Sequence, residues 1–286
     1  MTLIAYSEAN GFVTDLREWA PDMDYGTLHE LAHQWWGNVY GANMQGRQLL
    51  NEGLAQYSTF MAFKEYADAK YLRRILADTH NAYLDARSRE TIAELPVFKT
   101  EDQGHISYNK APLALFALQE LIGADKVNGA LRAYHARFVD MKPPFPTSLD
   151  LLEELRKAAG PEHQQWITDQ FQRIMLYDTA VDSVSVQAQD DGYAVTVDIS
   201  AHQYEADAQG RESEVPLDTW FEVAIFPESA LPLAEQEPLY RSFHKLHGGT
   251  QQLVLRVAGR PATVAVDPYY LMLDRKRANN KRAVTE

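Results

Sequence analysis

At 286 residues the chain is long enough to bury a substantial core and to form two domains. Its 27 basic against 40 acidic side chains give a net charge of −13, which leaves no broad basic surface to meet phosphates and argues against nucleic acid as a partner. No cysteine is present, so neither a disulfide framework nor a thiolate metal site is available.

The N-terminus, Met1 to Glu8, has no basic region followed by an apolar stretch, so no signal peptide is expected. No run approaches the ~18 apolar residues of a membrane span, so the chain as given is expected to be soluble; its compartment stays open. Residues 1–13 alternate loosely and read as the last strand of a sheet. Pro21, Asp22 and Asp24 then lead into a helix near Tyr25 to Trp36, since proline and acids suit a helix start. This helix carries His29-Glu30-Leu31-Ala32-His33. Positions i and i+4 on a helix lie about 6 Å apart along the axis on one face, so both imidazoles can reach one metal ion. Glu30, on the adjacent flank, can touch a water on that ion without ligating it. Leu28, Leu31, Trp35 and Trp36 make the surroundings apolar and aromatic, and the two tryptophans read as core anchors.

Gly37, Gly41 and Gly46 mark a loop, after which Asn51-Glu52-Gly53-Leu54-Ala55 opens a second helix running to about Tyr66, with Asn51 as its cap. Glu52 is the candidate third ligand. Three protein ligands leave a fourth position open, the mark of a catalytic rather than a structural zinc. Asn38 and Thr59 are candidates for orienting the ligands. A helix over Asp68–Glu90 follows, then a looser stretch around Pro96 and Gly104. Helical patterns resume at Ser107–Ile122, Ala124–Phe138, Ser148–Ala159 and Pro161–Ile174, the third capped by Thr147 and Asp150. His105 reads as a packing or surface residue.

After about Tyr177 the period changes to two. Val184, Val186 and Ala188, the turn Asp190-Asp191-Gly192, then Tyr193, Val195, Val197 and Ile199 predict a β-hairpin. Further strands are expected at Thr219–Phe226, Gln252–Ala258 and Thr263–Val266, spaced as in a small antiparallel sandwich. His202, His244 and His247 lack a second ligand at a useful interval and read as surface or packing residues. Arg275, Lys276, Arg277, Lys281 and Arg282 read as a solvated basic tail; beside a membrane span such a cluster would bind anionic lipid.

Three segments together resemble the M1 family of zinc aminopeptidases in the gluzincin clan. They are His29-Glu30-Leu31-Ala32-His33-Gln34-Trp35-Trp36-Gly37-Asn38, Asn51-Glu52-Gly53-Leu54-Ala55-Gln56-Tyr57 and Tyr108-Asn109-Lys110-Ala111, and the resemblance covers roughly residues 25–120. It implies an α+β chain: a mainly helical, thermolysin-like catalytic domain over residues 1–177, then a β-sandwich over 178–274 and the basic tail over 275–286. It further implies one catalytic Zn²⁺ on His29, His33 and Glu52, Glu30 as general base, and Tyr108 steadying the tetrahedral intermediate. The family's upstream Gly-x-Met-Glu-Asn element, whose Glu holds the substrate's α-amine, is replaced here by Tyr6-Ser7-Glu8-Ala9-Asn10, with Glu8 as the acid at about the right place. The family also places most of a β-sheet before this point, so the chain is expected to be a fragment, of a parent that membrane anchoring would also fit. Three functions stay open. The chain is an aminopeptidase acting on peptides, an endopeptidase of the same clan, or a zinc-bearing accessory domain that is inactive in isolation.

Overall fold

The computed structural model describes residues 16–37, 45–140 and 142–284, of which 16–23 and 234 as backbone only. The strand expected over residues 1–13 lies outside them. The chain divides into two compact units, one of Met1–Ile75 and Leu95–Gln172, the other of Leu76–Glu94 and Arg173–Glu286.

The first unit is helical. Its elements are α1 (Leu16–Ala32), α2 (Leu54–Tyr66), the first turns of α3 (Ala69–Arg89), α4 (Ala111–Ile122), α5 (Ala124–Phe138), α6 (Ser148–Ala159) and the single turn α7 (Gln164–Ile167). α4 is apolar around its whole circumference, and every residue from Ala111 to Gln119 is buried, as expected of a central helix. Against it lies α2, with Phe60 and Phe116 edge to face at 6.1 Å and the buried Tyr57 hydroxyl donating to Gln119 at 2.6 Å. Gly123, at φ 99°, ends α4 and starts α5, a turn that a side chain would strain. The reciprocal bonds between Thr147 and Asp150 open α6 as expected.

Two helices start differently from their sequence pattern. Leu49–Gly53 and His105–Lys110 wind as π-turns that run directly into α2 and α4. The helix expected over Pro161–Ile174 is broken into a 3₁₀ turn (Pro161–His163), α7 and a further π-turn (Thr168–Gln172). There Arg156 donates to the Gln164 carbonyl at 2.9 Å and to the Thr168 hydroxyl at 2.9 Å, tying α6 to this broken segment.

The second unit is built on two four-stranded antiparallel sheets. Met175–Gln189 (β1) and Gly192–Ala206 (β2) form the expected hairpin, with Val186 opposite Val195 and Ala188 opposite Tyr193. β2 is long enough to be shared. Its residues 193–201 pair with Gly249–Val257 (β6), and its residues 203–206 pair with Glu212–Val215 (β3). The other sheet runs β5 (Tyr240–His247), β4 (Asp218–Pro227), β7 (Pro261–Val266), β8 (Lys281–Ala283). Alternate residues of β2, Val195, Val197, Ile199 and Ala201, are fully buried, and Tyr177 meets Phe221 across the sheets at 5.3 Å. The short strands β3, β5 and β8 lacked a clean alternation in sequence.

Residues 76–94 supply the helical side of this unit. Arg87 donates to Glu94 at 2.7 Å and to Glu212 at 3.3 Å, while the buried Tyr83 hydroxyl also bonds Glu94. The stretch expected to be a solvated basic tail is instead folded. Arg275 pairs with Glu212, Lys276 with Asp178 at 2.6 Å and Arg277 with the buried Asp267 at 2.7 Å, and Lys281–Ala283 is a strand. Acids of the same unit claim these cations, so the cluster is not a free lipid-binding patch. His202, His244 and His247 each have a local partner, Glu214, Tyr240 and Asp218. Among the described residues no helix is long and apolar enough to cross a membrane.

His80 makes the second unit sensitive to acid. It is fully buried against the Tyr270 ring, with centroids 5.3 Å apart, and burial, aided by the charge of Arg277, lowers its pKa to about 4. In the unfolded chain it titrates near ~6.5, so below that pH the unfolded state binds more protons. The stabilisation is therefore complete above pH ~6.5 and is lost as pH falls toward 4. Denaturant unfolding at pH 7 and 4.5 should show wild type losing about 2 kcal/mol more than His80→Leu; equal losses would mean that His80 titrates normally in the fold.

Candidate metal centre

The helix that carries His29 ends at Ala32, and His33 opens the turn through residues 33–37. The turn is held by Gln34 N–H to the Leu31 carbonyl and by Trp35 and Trp36 N–H to the Ala32 carbonyl, each at 3.0 Å. His33 still donates its N–H to the His29 carbonyl at 3.3 Å, so the one-turn offset of the two imidazoles survives the helix end. Their rings stand edge to face, 4.8 Å between centroids.

The third candidate comes from the π-turn before α2. Its wider winding places Glu52 facing the histidines while Leu49, Leu50 and Gly53 stay buried. Oε2 of Glu52 lies 3.2 Å from His29 Nε2 and 3.3 Å from His33 Nε2, and the two Nε2 atoms lie 3.1 Å apart. Among the described residues this is the one group of three side chains with metal-ligating atoms so close together. Zinc bonds of ~2.05 Å in a tetrahedron put neighbouring donor atoms about 3.3 Å apart. The observed triangle has nearly those edges, so the residues present fit one zinc ion with a fourth position free.

The electrostatics favour positive charge at the centre. His33 Nδ1 donates to the Trp36 carbonyl at 3.1 Å, which leaves its Nε2 lone pair aimed at Glu52 and His29. The Glu52 bond is the main reason that the His33 pKa is raised, with burial opposing it. For Glu52, burial pushes the pKa up, but hydrogen bonds from His29 and His33 outweigh it and hold the carboxylate well below its usual range. Two imidazole nitrogens and a carboxylate oxygen this close, in a half-buried site, need a proton or a metal ion between them.

Asn51, read from sequence as a helix cap, makes no capping bond. It lies inside the π-turn, and its amide donates to Glu52 Oε1 at 3.0 Å. Trp36 is anchored by its indole N–H on Ser58 at 2.8 Å, whereas Trp35 is 52% exposed and is no core anchor, because the chain has left the helix before it. Thr59, a candidate orienting residue, donates its hydroxyl to Ala55 of its own helix and holds no ligand. His105 is buried at the start of the second π-turn. Sequence reasoning missed the roles of Asn51 and of the Trp36 carbonyl; adjacency to Glu52 was the one available signal for the first.

Glu30 is half-buried, and its charge acts on both His33 and Tyr108. Tyr108 comes from the π-turn before α4, is 41% exposed, and lies 5.9 Å from the His29 ring by centroids. Burial first, then the charge of Glu52 and the hydrogen bond the phenol gives it, then the charge of Glu30, push its pKa up to about 12. Thus His29, His33, Glu52, Glu30 and Tyr108 are brought together. Glu8 and Asn38 lie outside the described residues.

A family model described as "Peptidase family M1 domain" matches residues 23–175. The chain is 29% identical over 123 residues to Aminopeptidase M1-A of rice, covering 38% of this chain and 13% of that protein. It is 28% identical over 116 residues to human Endoplasmic reticulum aminopeptidase 2, covering 38% and 12%. An alignment with Aminopeptidase N of Haemonchus contortus, 25% identical, takes in 99% of this chain and 30% of that protein. The chain thus spans less than a third of each of these relatives. A mutant M1 zinc metallopeptidase from Deinococcus radiodurans, bound to a Tyr-Ser-Ala substrate, superposes with a TM-score of 0.40 at 24% identity over 51% of this chain and 32% of that one.

Zinc at about a hundred times its Kd should stabilise the protein by about 2.7 kcal/mol, read as a concentration-dependent rise in Tm. His33→Ala and Glu52→Gln should abolish that rise and Thr59→Val should keep it. A rise that survives loss of Glu52 would place the ion elsewhere.

Proposed function

The chain belongs to peptidase family M1, and on that premise we propose that it is the zinc-bearing part of a peptidase that releases N-terminal amino acids from peptides. The observation that carries the reading is the donor triangle of 3.1, 3.2 and 3.3 Å between His29, His33 and Glu52. Zinc held there supplies Lewis acidity and makes water a nucleophile at neutral pH.

The protein's own groups do the rest. Glu30, beside the ligand pair but outside the triangle, accepts the proton of the attacking water and passes it to the leaving amine. The influence of its charge on both His33 and Tyr108 supports this role. Tyr108, with its pKa raised to about 12, keeps its proton at neutral pH and so donates to the carbonyl oxygen as charge develops on it. Its partial exposure leaves the phenol within reach of a substrate entering from solvent. Release of the N-terminal residue in particular needs an acid for the substrate's α-amine, the role proposed for Glu8.

Reporters with a free N-terminal residue, compared with N-blocked peptides, test the reading. Cleavage of the free reporters alone is expected; cleavage of blocked peptides at equal rates would favour the endopeptidase reading. Glu30→Gln should lower kcat by roughly 10²–10⁴ with zinc still bound, and Tyr108→Phe by roughly 10²–10³. Equal turnover in Glu30→Gln and wild type would remove the catalytic reading and leave a zinc-bearing accessory domain.

A further inference from the structure

Glu52 has two carboxylate oxygens, and only one of them faces the imidazoles. Oε2 makes both contacts with the histidines, at 3.2 and 3.3 Å. Oε1 points the other way and accepts the Asn51 amide at 3.0 Å. A carboxylate on a two-carbon stem can rotate about its terminal torsion, which is broad and roughly two-fold. Nothing in the stem itself therefore selects the orientation that aims one oxygen at both rings.

The Asn51 side chain is itself fixed from above. Gly37 closes the turn after α1 at φ +87°, and a Cβ built on it would fall 1.9 Å from Asn51 Oδ1 and 2.7 Å from its Cγ. The glycine thus lets the turn lie directly on the asparagine amide. Next to it in sequence, Trp36 gives its carbonyl to His33 and its indole N–H to Ser58 of α2. One five-residue turn therefore touches the ligand set at two points: through Trp36 to His33, and through Gly37 and Asn51 to Glu52.

We propose that Asn51 is a positioning residue for the metal centre, locked by Gly37 so that Glu52 presents one oxygen to both imidazoles. This rests on the zinc reading above and adds the device that makes three donors converge before the ion arrives. Groups that orient a metal ligand typically contribute 10–100-fold in affinity. Asn51→Ala removes the amide and lets the carboxylate rotate. Gly37→Ala leaves the amide in place but forces it aside, because neither its φ nor the space admits a Cβ. The two changes meet in one contact, so their effects on zinc binding should be less than multiplicative, while the φ strain at position 37 remains in the double variant. Once residue 51 is an alanine, the methyl at position 37 no longer meets the amide.

The test is zinc affinity of the full chain, measured by competition with a chromophoric chelator, alongside Tm of the metal-free protein. Asn51→Ala and Gly37→Ala are each expected to weaken zinc 10–100-fold, and the double variant to lose clearly less than the product of the two. Asn51→Gln, which keeps an amide donor, should recover part of the loss. Cobalt substituted for zinc should show an altered d–d absorption in Asn51→Ala, a signature that a purely structural role would leave unmoved. If wild type binds zinc and Asn51→Ala binds it equally tightly, the positioning role is wrong while the zinc reading stands. Multiplying losses in the double variant would likewise overturn it, and wild type that binds no zinc would overturn both.

Discussion

A half-buried carboxylate placed between two imidazoles is the constraint on which the rest of the first unit depends. Glu52 brings α2 to within hydrogen-bonding distance of two residues one turn apart at the end of α1. Atoms this close in a half-buried site need a proton or cation between them, and the shift of His33 upward and of Glu52 downward, each favoured by the hydrogen bond between them, points the same way. The scaffold around it is accordingly rigid. The wholly apolar α4 packs against α2, and the Phe60–Phe116 and Tyr57–Gln119 contacts hold the two helices together. Such burial fixes the carboxylate's backbone, and the asparagine beside it fixes its torsion.

The same two helices owe their function to an irregularity. Glu52 and Tyr108 both leave the chain from π-turns, at Leu49–Gly53 and His105–Lys110, where one extra residue per turn re-aims a side chain. In the proposed reading the two turns carry the two kinds of chemistry, ligation in one and hydrogen-bond donation in the other. A regular α-helix at either place would rotate the functional side chain away by roughly one residue's worth of arc, about 100°.

Much of this was legible in the sequence, and the reasons differ by element. The i, i+4 pair of histidines follows from helix geometry alone, and Glu52 was marked by an acid at the opening of the next apolar helix. The hairpin of β1 and β2 was readable because its alternation is regular up to the Asp190-Asp191 turn, and the structure keeps that register. The cap at Thr147 was readable for the same local reason. What escaped was decided by contacts distant in sequence. Trp35 looked like core next to Trp36, but α1 ends at Ala32, and a turn rather than a helix decides which ring is buried. Asn51 looked like a cap because it stands at the start of the apolar helix pattern, and the residue that closes on its amide, Gly37, comes from the turn after α1. The basic residues near 275–282 looked solvated because their acids, Asp178, Glu212 and Asp267, are scattered along the second unit.

The most direct test of the account is a diffraction experiment on zinc-loaded crystals at the zinc absorption edge. The account predicts one anomalous peak in this unit, about 2.0–2.2 Å from His29 Nε2, His33 Nε2 and one oxygen of Glu52. A peak away from these atoms, or Glu52 turned from the imidazoles with zinc present in excess, would contradict it.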